Sequence, residues 1–148
     1  MLWPFITFIT VIYYFLTIKI SFADVLMFSD MEDELPNYLK RHYWVFFSGL
    51  VKVLGGLIIF LPALDSNLEP WNFFTSVIIA AVILYIIKYI AIAQGFFKGQ
   101  EIFQKKMKDL SELYPDKKSE FLKMAKMEGP EITNRGKNWV NIVNKSDD

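Results

Sequence analysis

Three windows of the chain, residues 2–28, 43–64 and 71–97, are apolar on every helical face and hold almost no charge. At ~1.5 Å per residue, about 20 apolar residues cross a ~30 Å hydrocarbon core, and each window reaches that length. A helix buried in a water-soluble protein keeps a polar side, whereas these show none. The pattern predicts an all-α, polytopic membrane protein, with a membrane domain over 1–97 and a soluble tail over 98–148. A small-x-small triplet, Ser21-Phe22-Ala23, resembles a signal cleavage site. The first window is nonetheless too long, too aromatic and too poor in leading basic residues for a signal, so it is read as a retained first span.

The polar stretches between the windows are short. Residues 29–42 hold Asp30, Glu32, Asp33 and Glu34, then Pro36 and the basic pair Lys40-Arg41. Four carboxylates so close together raise the question of a divalent cation, but hard cations need ligands arranged around a point, and an acidic loop is read here as a solvated face. In the tail, Phe103, Met107, Leu110 and Tyr114 recur at steps of four, three and four, the spacing of one helical face, flanked by Lys105, Lys106 and Lys108. That face is expected to lie on a partner protein or on an anionic leaflet. Pro115 interrupts it, Asp116 is placed to cap a second short helix through Phe121, Leu122 and Met124, and Gly129-Pro130 is expected to stop that helix. The tail is thus read as two short helices, followed by polar chain with Trp139-Val140 and Ile142-Val143 as its apolar spots.

Composition removes several classes of chemistry. The chain has no cysteine and a single histidine, His42. Thiolate zinc sites, Fe–S clusters, covalent haem attachment and bis-histidine haem ligation by one protomer are therefore excluded. No Ser-His-acid arrangement or phosphate-cradling glycine loop is present, so no catalytic residue, cofactor or metal is assigned and the chain is read as a non-enzyme. Charge balances at 16 basic against 16 acidic residues, and the segment from Lys98 onward holds eleven Lys or Arg and nine Asp or Glu. An excess of two charges gives no reason to expect nucleic-acid binding.

The basic residues also orient the chain. Cytoplasmic segments beside membrane helices carry the excess of Lys and Arg. The tail and the first connection carry them, whereas the second connection, residues 65–70, carries none. This places the amino terminus outside and the tail in the cytoplasm, in a membrane taken to be the bacterial inner membrane. In that topology Lys19, Lys52 and Lys88 each fall about ten residues from the inner end of their window, hence at one depth. A charge in the hydrocarbon costs at least ~2.5 to 3.5 kcal/mol at the centre of a span, so these lysines form a candidate polar site, with Asp24 as counter-ion. The competing reading is that each snorkels to the inner headgroups along its aliphatic stem. Beside Lys52, the small residues Ser48, Gly49, Gly55 and Gly56 offer a surface on which another helix can lie.

The segment Ser48-Gly49-Leu50-Val51-Lys52-Val53-Leu54-Gly55-Gly56, continuing apolar to Pro62 and preceded by Leu35-Pro36, resembles the second membrane helix of the DoxX-like proteins. The likeness covers residues 35–95. It implies a small four-helix membrane protein, in some members linked to quinone-dependent oxidation. Two departures stand out: Lys52 occupies a position that is commonly acidic in that family, and a charged tail replaces the fourth helix. The function expected from these features together is a non-catalytic accessory or assembly subunit of a larger membrane complex. The alternative is a homo-oligomeric carrier, channel or membrane-stress protein acting through Lys52. Its partners are expected to be membrane lipids with either a second protein or further copies of itself.

Overall fold

A computed structural model describes residues 2–65 and 69–145, and among them it contains helices and turns but no strand. Helix α1 runs Leu2–Phe28, α2 Arg41–Asp65 and α3 Pro70–Leu113; three short helices follow, α4 Lys118–Met124, α5 Gly129–Arg135 and α6 Asn138–Asn144. The first three are long and apolar enough to cross a membrane. Helix is the form such segments must take, because lipid offers no partner to an unpaired peptide group. Pro70 sits in the first turn of α3, where its missing N–H costs nothing.

The third helix departs from the expected boundary. Its 44 residues run about 66 Å, more than twice the hydrocarbon thickness, so one end must stand well clear of the bilayer. Of residues 98–114, expected as a separate tail helix, 98–113 are the continuation of the third span and Tyr114 is the residue that ends it. No glycine turn or proline intervenes before Pro115, and nothing in the sequence makes the helix stop at a membrane surface.

The projecting end of α3 is the scaffold of a folded cap. Phe103 and Met107 are 0% exposed, and they pack with Ala23, Val25 and Leu26 of α1, with Met31, Leu35 and Leu39 of the first connection, and with Phe121, Met124, Ala125 and Ile132 of the tail. The sequence expectation for this face is therefore corrected: Phe103 and Met107 are covered by the chain's own cap, with Leu110 and Tyr114 packed at its edge. The last two turns of α1 lie inside this cap, beyond the lipid-facing part of the helix.

Two further expectations for the tail change. Asp116 lies in a 3-10 turn opened by Pro115 and makes no side-chain cap, so α4 begins after it. Gly129-Pro130 starts α5 instead of ending a helix. A Cβ on Gly129 would lie 2.9 Å from Cβ of Phe96, so glycine is what lets α5 dock on α3. The Gly129 N–H donates to Gln100 Oε1 at 3.0 Å, and the Gln104 amide donates to the Met127 carbonyl at 3.1 Å. Trp139 closes the cap by donating its indole N–H to the Ser29 carbonyl at 2.7 Å.

Between the apolar parts of the helices the packing is thinner. Ile9, Tyr13, Ile58 and Leu84 form a small core where α1, α2 and α3 meet. Many large apolar side chains face outward, among them Phe8, Phe15, Phe46, Phe60, Ile78 and Ile83. A lipid solvent explains this distribution, since an outward phenylalanine costs nothing among acyl chains.

Candidate functional site

The closest helix pair is set by glycines other than those singled out in the sequence. Ala91, Gly95 and Gly99 recur every four residues along α3 and face α1. A Cβ on Gly95 would stand 2.5 Å from the Ile18 carbonyl oxygen and 2.7 Å from Ser21 Cβ, and one on Gly99 would stand 2.6 Å from Val25 Cβ. These glycines are where the α1 backbone sits on α3, the small-xxx-small mode of membrane helix packing. The G-x-x-x-G at 95–99 was legible in the sequence; it was overlooked because the segment was divided into a span and a tail at Phe97.

The glycines of α2 divide into two groups. Gly55 points inward, where a Cβ would meet Tyr13 at 3.4 Å and Leu84 at 3.6 Å. Gly49 and Gly56 open onto space, with nothing within 4 Å of the position a Cβ would occupy. Ser48 is half-buried and Lys52 exposed. On a helix turning 100° per residue, Gly49, Lys52 and Gly56 share one side, which is continued by the outward-facing Val45, Val53 and Phe60.

The three intramembrane lysines do not meet at one level. Lys19 lies near the cap, with its ammonium 5.0 Å from the centroid of the Tyr38 ring on the first connection. It lines a cavity of about 180 Å³ with Ile18, Phe22, Pro36, Tyr38, Leu39 and Lys98, and neither Lys52 nor Lys88 reaches that cavity. Lys52 stands about three turns along α2 from Arg41, roughly 16 Å at ~1.5 Å per residue, and Lys88 is a similar distance before Lys98 on α3. Both are exposed on their helices. The single depth inferred for all three assumed that each window ends at the membrane surface. The cap takes the last turns of α1 and the first of α2 alike, for Asp24 and Trp44 are bonded there; counted from that bond, Lys19 lies five residues along α1 and Lys52 eight along α2, about 7 and 12 Å at ~1.5 Å per residue.

Asp24 is not the counter-ion of Lys19. Its carboxylate accepts the Trp44 indole N–H at 2.8 Å and so ties α1 to the start of α2. The acidic run of the first connection is similarly spent on structure. Asp30 pairs with Lys137 at 3.5 Å, Glu34 with Lys106 at 3.3 Å, and Glu32 Oε1 accepts the Arg41 N–H at 3.0 Å, an acid at the amino end of α2. Among the described residues these carboxylates do not gather with a third ligand into a cation-binding group.

Lys98 and Tyr38 are the residues that sequence reasoning missed here. Lys98 had been counted with the tail, and Tyr38 carried no pattern; only the fold of the first connection over α1 brings them beside Lys19. Elsewhere between α1 and α3, the Tyr14 hydroxyl donates to Gln94 Oε1 at 2.9 Å. No family model, curated protein or solved structure matches the chain.

Proposed function

We propose that this chain is a non-catalytic subunit of a larger membrane complex, and that the outward face of α2 is where a helix of its partner lies. The observation that carries the reading is the notch at Gly49 and Gly56, open beyond 4 Å, with Lys52 exposed between them. A lysine facing lipid near mid-span costs ~2.5 to 3.5 kcal/mol, and a polar acceptor on a neighbouring helix removes that cost. Glycines on either side let the neighbouring backbone come close enough to supply it.

The tail takes a different part in this proposal from the one its periodicity suggested. Its apolar face is consumed in the cap, so partner binding rests on α2 and not on Phe103 or Met107. With the basic excess on the capped side, the cap is cytoplasmic and the amino terminus outside. The DoxX-like resemblance of residues 35–95 makes a quinone-linked complex one class of partner to test.

The test uses the absence of cysteine. Gly49→Cys and Val53→Cys chains, crosslinked in their native membrane, are expected to give one adduct with a different polypeptide, lost when Gly56→Leu fills the notch. A dimer of the chain itself would transfer the face to a homo-oligomer with Lys52 at its interface. No adduct from either position would end the proposal.

A further inference from the structure

The cavity at the cap boundary has a chemistry of its own, distinct from the α2 face. Two exposed lysines, Lys19 and Lys98, line it together with Tyr38, and no carboxylate does. The ion pairs among the described residues are Lys106–Glu34, Lys117–Glu120 and Lys137–Asp30, so neither lysine is neutralised by an acid of this chain. Asp24 accepts the Trp44 indole N–H and is ion-paired with neither lysine. Two lysines lining one cavity from α1 and α3, with no acid in its wall, favour an anion there.

The walls on either side of Lys98 show what kind of anion fits. At about 180 Å³ the cavity is smaller than the ~300 Å³ at which sites for whole small molecules begin, so it takes a headgroup-sized piece. Lys98 also lines a second space of about 410 Å³ with Tyr89, Ile90, Ala93, Gln94 and Phe97, a trough along the lipid-facing surface of α3. From Lys98 to Tyr89 the helix advances about 14 Å, close to the ~15 Å that one leaflet contributes to the hydrocarbon core. The cationic cavity and the apolar surface one leaflet long thus lie on either side of Lys98, which lines both.

We infer that the structure holds a binding site for an anionic phospholipid, its phosphate between Lys19 and Lys98 and one acyl chain along Tyr89, Ile90, Ala93 and Phe97. Tyr38 holds the Lys19 ammonium from the opposite side through its ring face, which fixes the cation without supplying negative charge.

The experiment is native mass spectrometry of the full chain in mild detergent, titrated separately with dioleoyl phosphatidylglycerol, dioleoyl phosphatidylcholine and inorganic phosphate. Phosphatidylglycerol is expected to bind most tightly. Lys19→Gln and Lys98→Gln are expected to weaken it about fivefold each, and the double variant more than either, with phosphatidylcholine unchanged. Lys118→Gln, exposed on α4, is the control and should change nothing. Ala93→Trp keeps both lysines but fills the trough, so it should also lose phosphatidylglycerol; this variant decides the matter if the double lysine variant does not fold. Undiminished phosphatidylglycerol binding in either variant would overturn the inference. So would equal binding of both lipids, and inorganic phosphate binding as tightly as phosphatidylglycerol would show a free-anion site instead.

Discussion

Adding one methyl group to a glycine should have opposite consequences on α2 and α3. At Gly95 the new Cβ would stand 2.5 Å from the Ile18 carbonyl oxygen and 2.9 Å from the Phe22 nitrogen. Both are backbone atoms of a helix and cannot rotate aside. To restore ordinary contact, α1 and α3 must separate by roughly 1 Å, and the strain is of the overpacking kind, typically ~1–3 kcal/mol. Alanine recovers up to ~1 kcal/mol of helix propensity, leaving Gly95→Ala destabilised by about 0–2 kcal/mol. At Gly49 nothing lies within 4 Å, so only the propensity gain remains and Gly49→Ala should be neutral to ~1 kcal/mol more stable.

The assay is reversible unfolding in mixed micelles of rising sodium dodecyl sulfate fraction, followed by Trp fluorescence and far-UV circular dichroism. Trp44 and Trp139 suit this purpose because their indoles are bonded across the cap boundary, to Asp24 and to the Ser29 carbonyl. Gly99→Ala, facing Val25 Cβ at 2.6 Å, should fall with Gly95→Ala, since that Cβ is fixed to the α1 backbone and cannot rotate aside. If Gly95→Ala proves as stable as Gly49→Ala, the close approach of α1 and α3 is not what holds this bundle together. The assignment of the packing glycines would then be wrong.

Other substitutions probe the cap and its clasps. Phe103→Ala removes a fully buried ring from the centre of the cap and should cost about 3–5 kcal/mol in the same assay; a loss below 1 kcal/mol would return Phe103 to the surface. Trp139→Phe keeps an aromatic ring beside the Lys106 ammonium but leaves the Ser29 carbonyl without its 2.7 Å donor, for about 1–2 kcal/mol, read as earlier protease cleavage of the tail than of the spans. Lys137→Ala breaks the pair with Asp30, in which both side chains are largely exposed, and should change stability by less than ~1 kcal/mol, an effect that vanishes in high salt. Lys52→Met should leave the isolated fold intact and favour insertion of α2, while weakening the crosslink expected at Gly49.

The sequence was most legible where one physical demand acted alone. Lipid requires long apolar helices, and residues 2–28 coincide with α1 while 43–64 falls within two residues of α2 at either end. It was least legible where α3 leaves the bilayer, because helix propensity does not change there and hydropathy alone drew the boundary at Phe97. Of the periodic face Phe103, Met107, Leu110 and Tyr114, the first three are helical and Tyr114 is the residue just past the end of α3. What covers it was not legible. The covering residues, Leu26, Met31, Leu35, Phe121 and Ile132, come from three separate stretches, each of which looks too short to form a core. Trp139 was visible as a sticky spot, yet its partner is a backbone carbonyl 110 residues away, which no local pattern encodes.

The lysines show how this one boundary propagates into function. Counting from the end of each apolar window makes Lys19, Lys52 and Lys88 equivalent, and equivalence suggested a shared site. The windows, however, end for different reasons. The first ends inside a folded cap, the second at the cap's edge where Glu32 meets the Arg41 N–H, and the third only because its sequence turns polar while the helix continues. Depth must therefore be measured from the cap, and by that measure Lys19, which shares a cavity with Lys98, lies about one turn nearer the cap than Lys52. The two groups then call for different ligands. A lysine pair at the headgroup level meets phosphates that the membrane itself provides, whereas Lys52 at mid-span finds no anion in the surrounding lipid. Only another helix can bring one to it, which is why the notch at Gly49 and Gly56, and not the tail, is the face through which this protein should meet its partner.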